Sequence, residues 1–322
     1  MRTIPVVLLL TCCAALAATE ETLHKTYNTP PGGTIVVDVD FGSIDVGTNA
    51  GTQVTIDVWR QVSRKTKAEE KTFLAENPVR FLQKGDTISV RAGHKRKRHW
   101  FGRGERNEAK YTILVPARFN ARLNTSGGAV AVTDLEGEAK AGTSGGALRF
   151  IRLRGPLDGD TSGGAIHVID CEGAMRVDTS GGAIEVTGGS GSLKADTSGG
   201  DITVKSFGGP ATVDTSGGGI TLENVGGKVK GDTSGGPIKA VLPSPVPGDV
   251  TLSTSGGGIM VRVPADAAFH LDAVASGGGV SCDLPVTVQG KIKPDRLKGV
   301  VNGGGPALKL QTSGGGIQLK KL

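Results

Sequence analysis

The chain has 322 residues, with 37 Lys and Arg against 31 Asp and Glu for a formal net charge of +6. A globule of this length would normally divide into domains with thick cores, whereas aromatic residues are only 4% and glycine occurs 52 times. That composition excludes a thick aromatic core and argues against a sugar-cleaving groove, which needs aromatic platforms.

Residues 1–17 read as a secretory signal peptide, with Arg2 as the positive start, an apolar run from Val6 to Leu16 and the small-residue site Ala15-Leu16-Ala17. The run is too short to span a bilayer. The mature chain is therefore expected to begin near Ala18 and to act outside the cytoplasm, in the periplasm, at the cell surface or beyond it. Lipidation at Cys12 is not expected, because Thr11 stands where a lipobox takes glycine, alanine or serine. Cys12 and Cys13 leave with the signal. Cys171 and Cys282 lie too far apart along the repeats to bridge and read as buried small hydrophobes.

Residues 18–124 read as irregular first coils. Alternation at Ile35, Val37 and Val39 and again at Val54, Ile56 and Val58 predicts strands with one buried face. Phe41-Gly42-Ser43-Ile44-Asp45-Val46 is a degenerate corner and strand. Residues 64–77 are rich in helix formers and predict a short helix on the flank, with Ala68, Phe73 and Leu74 as its apolar face. Strand-like segments at Thr87 to Arg91 and Tyr111 to Val115 then bracket a basic loop. Its six cations, Lys95, Arg96, Lys97, Arg98, Arg103 and Arg106, less Glu105 give +5, and the chain's +6 less Arg2 is also +5. The loop therefore carries the mature protein's net charge. With Trp100 and Phe101 beside its cations, it is the candidate binding element for an anionic partner: envelope polysaccharide, lipid headgroups or extracellular nucleic acid.

From Thr125 to Gly236 the tetrapeptide Thr-Ser-Gly-Gly returns every 18 residues, at Thr125, Thr143, Thr161, Thr179, Thr197, Thr215 and Thr233. A fixed period of this kind marks one supersecondary unit stacked along an axis. Apolar residues alternate after each tetrapeptide, as in Ile166 and Val168 or Ile184 and Val186, and also before it, as at Met175 and Val177. Gly137, Gly155, Gly173, Gly191, Gly209 and Gly227 recur at the opposite corner, a phase that implies positive φ or no room for a Cβ. Each coil is thus two short strands and two glycine corners, stacked into two facing parallel sheets. At one strand spacing per coil the seven regular coils extend roughly 30 Å.

The repeat threonines are expected to face inward and bond one another as a ladder. Asp160, Asp178, Asp196, Asp214 and Asp232 form an outward acidic column, offset by Lys140, Arg176, Lys194 and Lys230. A flat row of single carboxylates does not converge as a calcium site requires. After Gly236 the pattern loosens, returning at Thr254-Ser255-Gly256-Gly257, Ala275-Ser276-Gly277-Gly278 and Thr312-Ser313-Gly314-Gly315. No histidine stands in a metal-ligand spacing, no serine sits in a strand-to-helix elbow, and no cofactor motif is specific among so many glycines.

A secretory start, an alternating region with a short helix, repeated Ser-Gly-Gly-x-Ile-x-Val units and the closing Asn302-Gly303-Gly304-Gly305 resemble the bacterial family called putative adhesins, β-strand repeat proteins of unknown function. The resemblance covers nearly all of the mature chain and brings no catalytic motif. Bactofilins, shorter and without an export signal, are the nearest other solenoids. The expected fold is all-β, a β-solenoid of 18-residue coils resembling a single-stranded parallel β-helix, with one flanking helix. It is regular over residues 125–322 and continuous with the N-terminal part. The expected function is an exported non-enzymatic scaffold for adhesion or envelope interaction. A carbohydrate-active enzyme, lyase or hydrolase, on the same architecture and a filament assembled end to end are the alternatives.

Overall fold

A computed structural model describes residues 18–93, 106–288 and 293–322. Residues 1–17, read above as a signal peptide, and most of the basic loop lie outside these residues. Among the described residues 29 strands form two sheets, of 14 and 15 strands, with a single α-helix, Lys67–Glu76. One coil shows why. Leu157–Thr161 and Ile166–Ile169 are strands of one coil, on opposite sheets. Each pairs in parallel with its equivalent one period away, Leu157 beside Met175 and Ile166 beside Ile184. The period-2 alternation turns Leu157, Ile166 and Val168 into a shared core that runs unbroken from Ile35 to Leu319. The all-β solenoid expected from the period is the observed fold.

The threonine contact differs from the expected ladder. Thr143, Thr161, Thr179, Thr197 and Thr215 are buried, but each hydroxyl donates to a glycine carbonyl of the preceding coil, as Thr197 Oγ1 does to the Gly182 oxygen at 3.0 Å. The same hydroxyl accepts the N–H of the second glycine in its own corner, Gly200 N to Thr197 Oγ1 at 3.3 Å. Two backbone groups that a tight corner would strand are thereby satisfied. Successive threonines do not need to reach each other.

The two glycines of the corner play different parts. A Cβ on Gly182 would collide with the Gly164 carbonyl oxygen directly beneath it, whereas one on Gly181 would meet nothing closer than the Ser162 oxygen at 3.6 Å. The second glycine is therefore the contact point between coils. At the far corner, Gly155 and Gly173 have φ of 139° and 129°. A left-handed column that the sequence pattern did not reveal follows the other strand: Asp134, Arg152, Asp170, Ser206 and Asn224, all with φ between 51° and 62°. Mixed side chains hid it, since glycine occupies the phase only at Gly188.

The coils at both ends are stacked out of chain order. The coil of Thr34–Val39 and Ser43–Asn49 lies between that of Asn120–Thr125 and Val130–Thr133 and that of Thr87–Ala92 and Arg106–Pro116. At the other end Ala307–Thr312 and Ile317–Lys321 lie between Val250–Thr254 with Ile259–Val263 and Phe269–Ala275 with Val280–Cys282. Residues 34–62 are thus not two successive coils: Gln53–Ser63 instead runs antiparallel to Arg106–Pro116, and Thr19–Asn28 runs antiparallel beyond it. Arg80–Lys84 reverses beside Thr87–Ala92, and Arg296–Val301 beside Phe269–Ala275. Both ends of the body therefore carry strands that break the parallel run.

The helix sits against Thr19–Asn28 and Gln53–Ser63. Thr66 caps it by accepting the Glu69 N–H at 3.2 Å. Its anchor is not the expected apolar face: Ala68 is exposed, and Glu70 is its buried residue. Glu70 takes Lys67 Nζ at 2.8 Å, the Thr19 hydroxyl at 2.5 Å and the Arg64 N–H at 3.1 Å. The hydrogen bonds from Lys67 and Thr19, which outweigh desolvation, hold its carboxyl down to about 2. Beneath lies buried Arg60, paired with Glu21 and donating to the Asn77 carbonyl at 2.7 Å.

Gly182→Ala is expected to destabilise the protein by at least ~3 kcal/mol in urea unfolding, because backbone must move, while Gly181→Ala stays within ~1 kcal/mol of wild type. Equal effects would refute the corner assignment. Because the folded carboxyl of Glu70 lies below its unfolded value, its stabilisation is complete above about pH 4.3 and is lost as pH falls through about 2. Hydrogen exchange should show residues 19–28 and 67–76 losing protection over that window in wild type, and already unprotected at neutral pH in Glu70→Gln.

Candidate functional site

The outer face of the 15-stranded sheet carries two rows of outward residues. The upper row is the aspartate column, brought into register by the repeat: Asp178 pairs with Asp196, Asp196 with Asp214 and Asp214 with Asp232. With the corner serines Ser162, Ser180 and Ser198 it lines an open groove of ≈ 620 Å³. Like charges one strand apart repel. The lower row answers them: Arg176 Nε lies 2.8 Å from Asp178 and Lys194 Nζ 3.3 Å from Asp196. Desolvation still raises the carboxyls of Asp178 and Asp214 above the usual range, opposed by Arg176 and Lys230 respectively. Among the described residues no three His, Cys, Asp or Glu side chains converge as metal ligands. The row is flat, with one carboxylate per coil.

Pairing of this kind extends over the surface. Arg152 grips Asp134 through Nε at 2.6 Å and Nη2 at 2.9 Å, holding that carboxyl below its ordinary value. Lys140 stands between Glu138 and Asp158, and Lys205 lies 3.6 Å from Glu223. His167 projects outward, as expected, with Nδ1 3.2 Å from Glu185. Cys171 is buried, takes the Leu153 N–H at 3.5 Å and has its thiol pushed up by burial. Cys282 is half-buried and unbridged.

The acidic column ends toward the N-terminal end of the sheet, where the same row passes through Gly142, Asn124 and Asp38 to Arg91 and Arg80. A second shallow groove of ≈ 380 Å³ opens there, with Arg91, Arg122 and Lys140 on its walls. Of the basic-loop residues singled out in the sequence, Lys95, Arg96, Lys97, Arg98, Trp100 and Arg103 lie outside the described residues. Arg106 lies within them, exposed and opposite Ser63. The loop joins Thr87–Ala92 to Arg106–Pro116. In chain order it thus stands between a strand of one sheet and a strand of the other, as Thr-Ser-Gly-Gly does in the regular coils. Arg80, Arg91 and Arg122 carried no sequence signal, since they are far apart in the chain and only sheet pairing gathers them.

Comparison with curated proteins finds no match. Three solved structures align with the chain at low identity. A putative adhesin from Bacteroides fragilis is 12% identical over 94% of this chain and 97% of its own, with a TM-score of 0.37. A putative adhesin from Parabacteroides distasonis is 11% identical over 93% and 97%, with a TM-score of 0.41. A putative lipid binding protein from the same organism is 14% identical over 74% and 94%, with a TM-score of 0.39. The Toastrack DUF4097 family profile matches residues 34–320, the whole solenoid from its first inward strand to its last, and the chain belongs to that family.

Proposed function

We propose that the protein is an exported, non-enzymatic scaffold that works by adhesion or envelope interaction and meets an anionic surface through the basic segment 94–106. The distribution of charge carries this reading. Over the regular coils outward cations and carboxylates answer one another within ion-pair distance, as at Arg176, Lys194 and Lys205. The net +5 of the mature chain is concentrated in one expanded corner. Such a corner is held at both ends by sheet and can change in length without disturbing the core.

A carbohydrate-active enzyme is the second reading, favoured by one observation: Asp178, whose carboxyl is raised, neighbours Asp196 in register. A raised carboxyl beside a second carboxyl is an arrangement that acid–base cleavage of a glycoside can employ. A filament would have to join the edges Thr19–Asn28 and Arg80–Lys84 of one end to the edges Val280–Cys282 and Val286–Thr287 of the other.

Replacing Lys95, Arg96, Lys97 and Arg98 with Gln is expected to weaken retention on isolated envelopes at least tenfold at low salt, with the difference shrinking as salt rises. Unchanged retention would remove the reading. Incubation with acidic polysaccharides is expected to give no turnover in wild type; turnover abolished by Asp196→Asn or Asp214→Asn would instead establish the enzyme.

A further inference from the structure

Arg80 and Arg91 stand directly opposite one another on antiparallel strands, both exposed. Like charges so placed destabilise a strand pair. Elsewhere on this sheet the outward cations Lys140, Arg176 and Lys194 have carboxylates within ion-pair distance. Arg80 and Arg91 have none at that distance among the described residues, with Asp38 the cross-strand neighbour of Arg91, whereas Arg122 lies 3.3 Å from Glu138. Beside Arg80 on the same strand Leu82 is 64% exposed, and its cross-strand neighbour is Ser89. Continuing across the sheet, Ser89 lies beside Val36 and Val36 beside Arg122. Lys84 flanks Leu82 on its other side.

The patch is therefore one exposed leucine and one half-buried valine on either side of Ser89, bordered by guanidinium groups. A free polysaccharide or nucleic acid would be met by stacking aromatics, and the described outward residues of this face include none. A cationic face with one protruding aliphatic side chain suits a bilayer, where arginines meet phosphates and the leucine enters the headgroup boundary. We infer that this N-terminal corner of the sheet, Arg80, Leu82, Arg91 and Arg122, docks on an anionic phospholipid surface. The inference narrows the anionic surface proposed above and rests on that reading only for the sign of the partner's charge.

The test is co-sedimentation of the full chain with vesicles of phosphatidylcholine and phosphatidylglycerol at low salt, against pure phosphatidylcholine. Wild type should bind only the mixed vesicles. Arg80→Gln with Arg91→Gln should weaken binding roughly thirtyfold, the combined effect of two cations at an anionic membrane. The Arg80→Lys, Arg91→Lys pair should retain most of it. Leu82→Ser should weaken vesicle binding while leaving retention on an immobilised anionic polysaccharide unchanged.

Folding of each variant is checked by circular dichroism, and removal of two opposed like charges should not lower the unfolding midpoint. Wild-type affinity in the double Gln variant would overturn the inference, as would equal binding to neutral vesicles. An unaltered vesicle affinity in Leu82→Ser would overturn the bilayer as the occupant. If the Lys95 to Arg98 variant binds vesicles and envelopes like wild type while the Arg80, Arg91 variant does not, the corner is upheld and the loop reading fails alone.

Discussion

Each coil that carries the Thr-Ser-Gly-Gly corner is locked to the coil beneath it by a buried threonine hydroxyl that donates to a glycine carbonyl below and, from Thr143 onward, also accepts an N–H from its own corner. The register of both sheets depends on this bond. From Thr125, which reaches the Gly42 oxygen at 3.0 Å, to Thr312, which reaches the Gly257 oxygen at 2.7 Å, the geometry is the same whether the two coils are neighbours in sequence or not. A hydroxyl with one donor and two acceptor sites can serve two backbone groups at once. Valine fits the space and the β conformation but would leave both groups buried and unpaired, at a cost of about 1–3 kcal/mol each.

The same bond explains how the two ends can be stacked out of order. A coil is recognised by its neighbours through backbone pairing, the corner hydroxyl and the glycine beneath it, and none of these records where in the chain the coil came from. Phe41-Gly42-Ser43 offers the carbonyl that Thr125 needs, so the first coil can be clasped on both sides while the chain leaves and returns. Ala307–Lys321 is held likewise between two earlier coils. A terminal segment clasped between two coils makes twice the sheet contacts of one laid on an end. Beyond the stacked coils both ends add antiparallel strand pairs, and the N-terminal end also carries the helix anchored by Glu70.

The outer faces follow from the same stacking. A residue type repeated every 18 positions becomes a column with one strand spacing, so any repeated charge is confronted with itself. The aspartate column is tolerated because the cations two residues earlier become a parallel column within reach, as with Arg176 and Asp178. Where the repeat lapses, toward Arg80 and Arg91, that balance lapses with it, and the surface there changes sign.

The period of 18, its paired alternations and its glycines were enough to fix the coil, the two-sheet stack and the inward place of residues such as Thr197 and Ile202, because local pattern and neighbour contact coincide in a repeat. The degenerate corner at Gly42 and the helix near residue 70 were legible for the same reason. The threonine's true partner was not, because a register of 18 places the glycine carbonyl of the previous coil closer than the previous threonine only once the corner's geometry is known. Nor was the stacking order at either end, since a coil carries no mark of its neighbour, nor the corner of Arg80, Arg91 and Arg122, whose members are separated in the chain. These were decided by tertiary structure, because strand pairing sets a residue's neighbours by space and not by sequence.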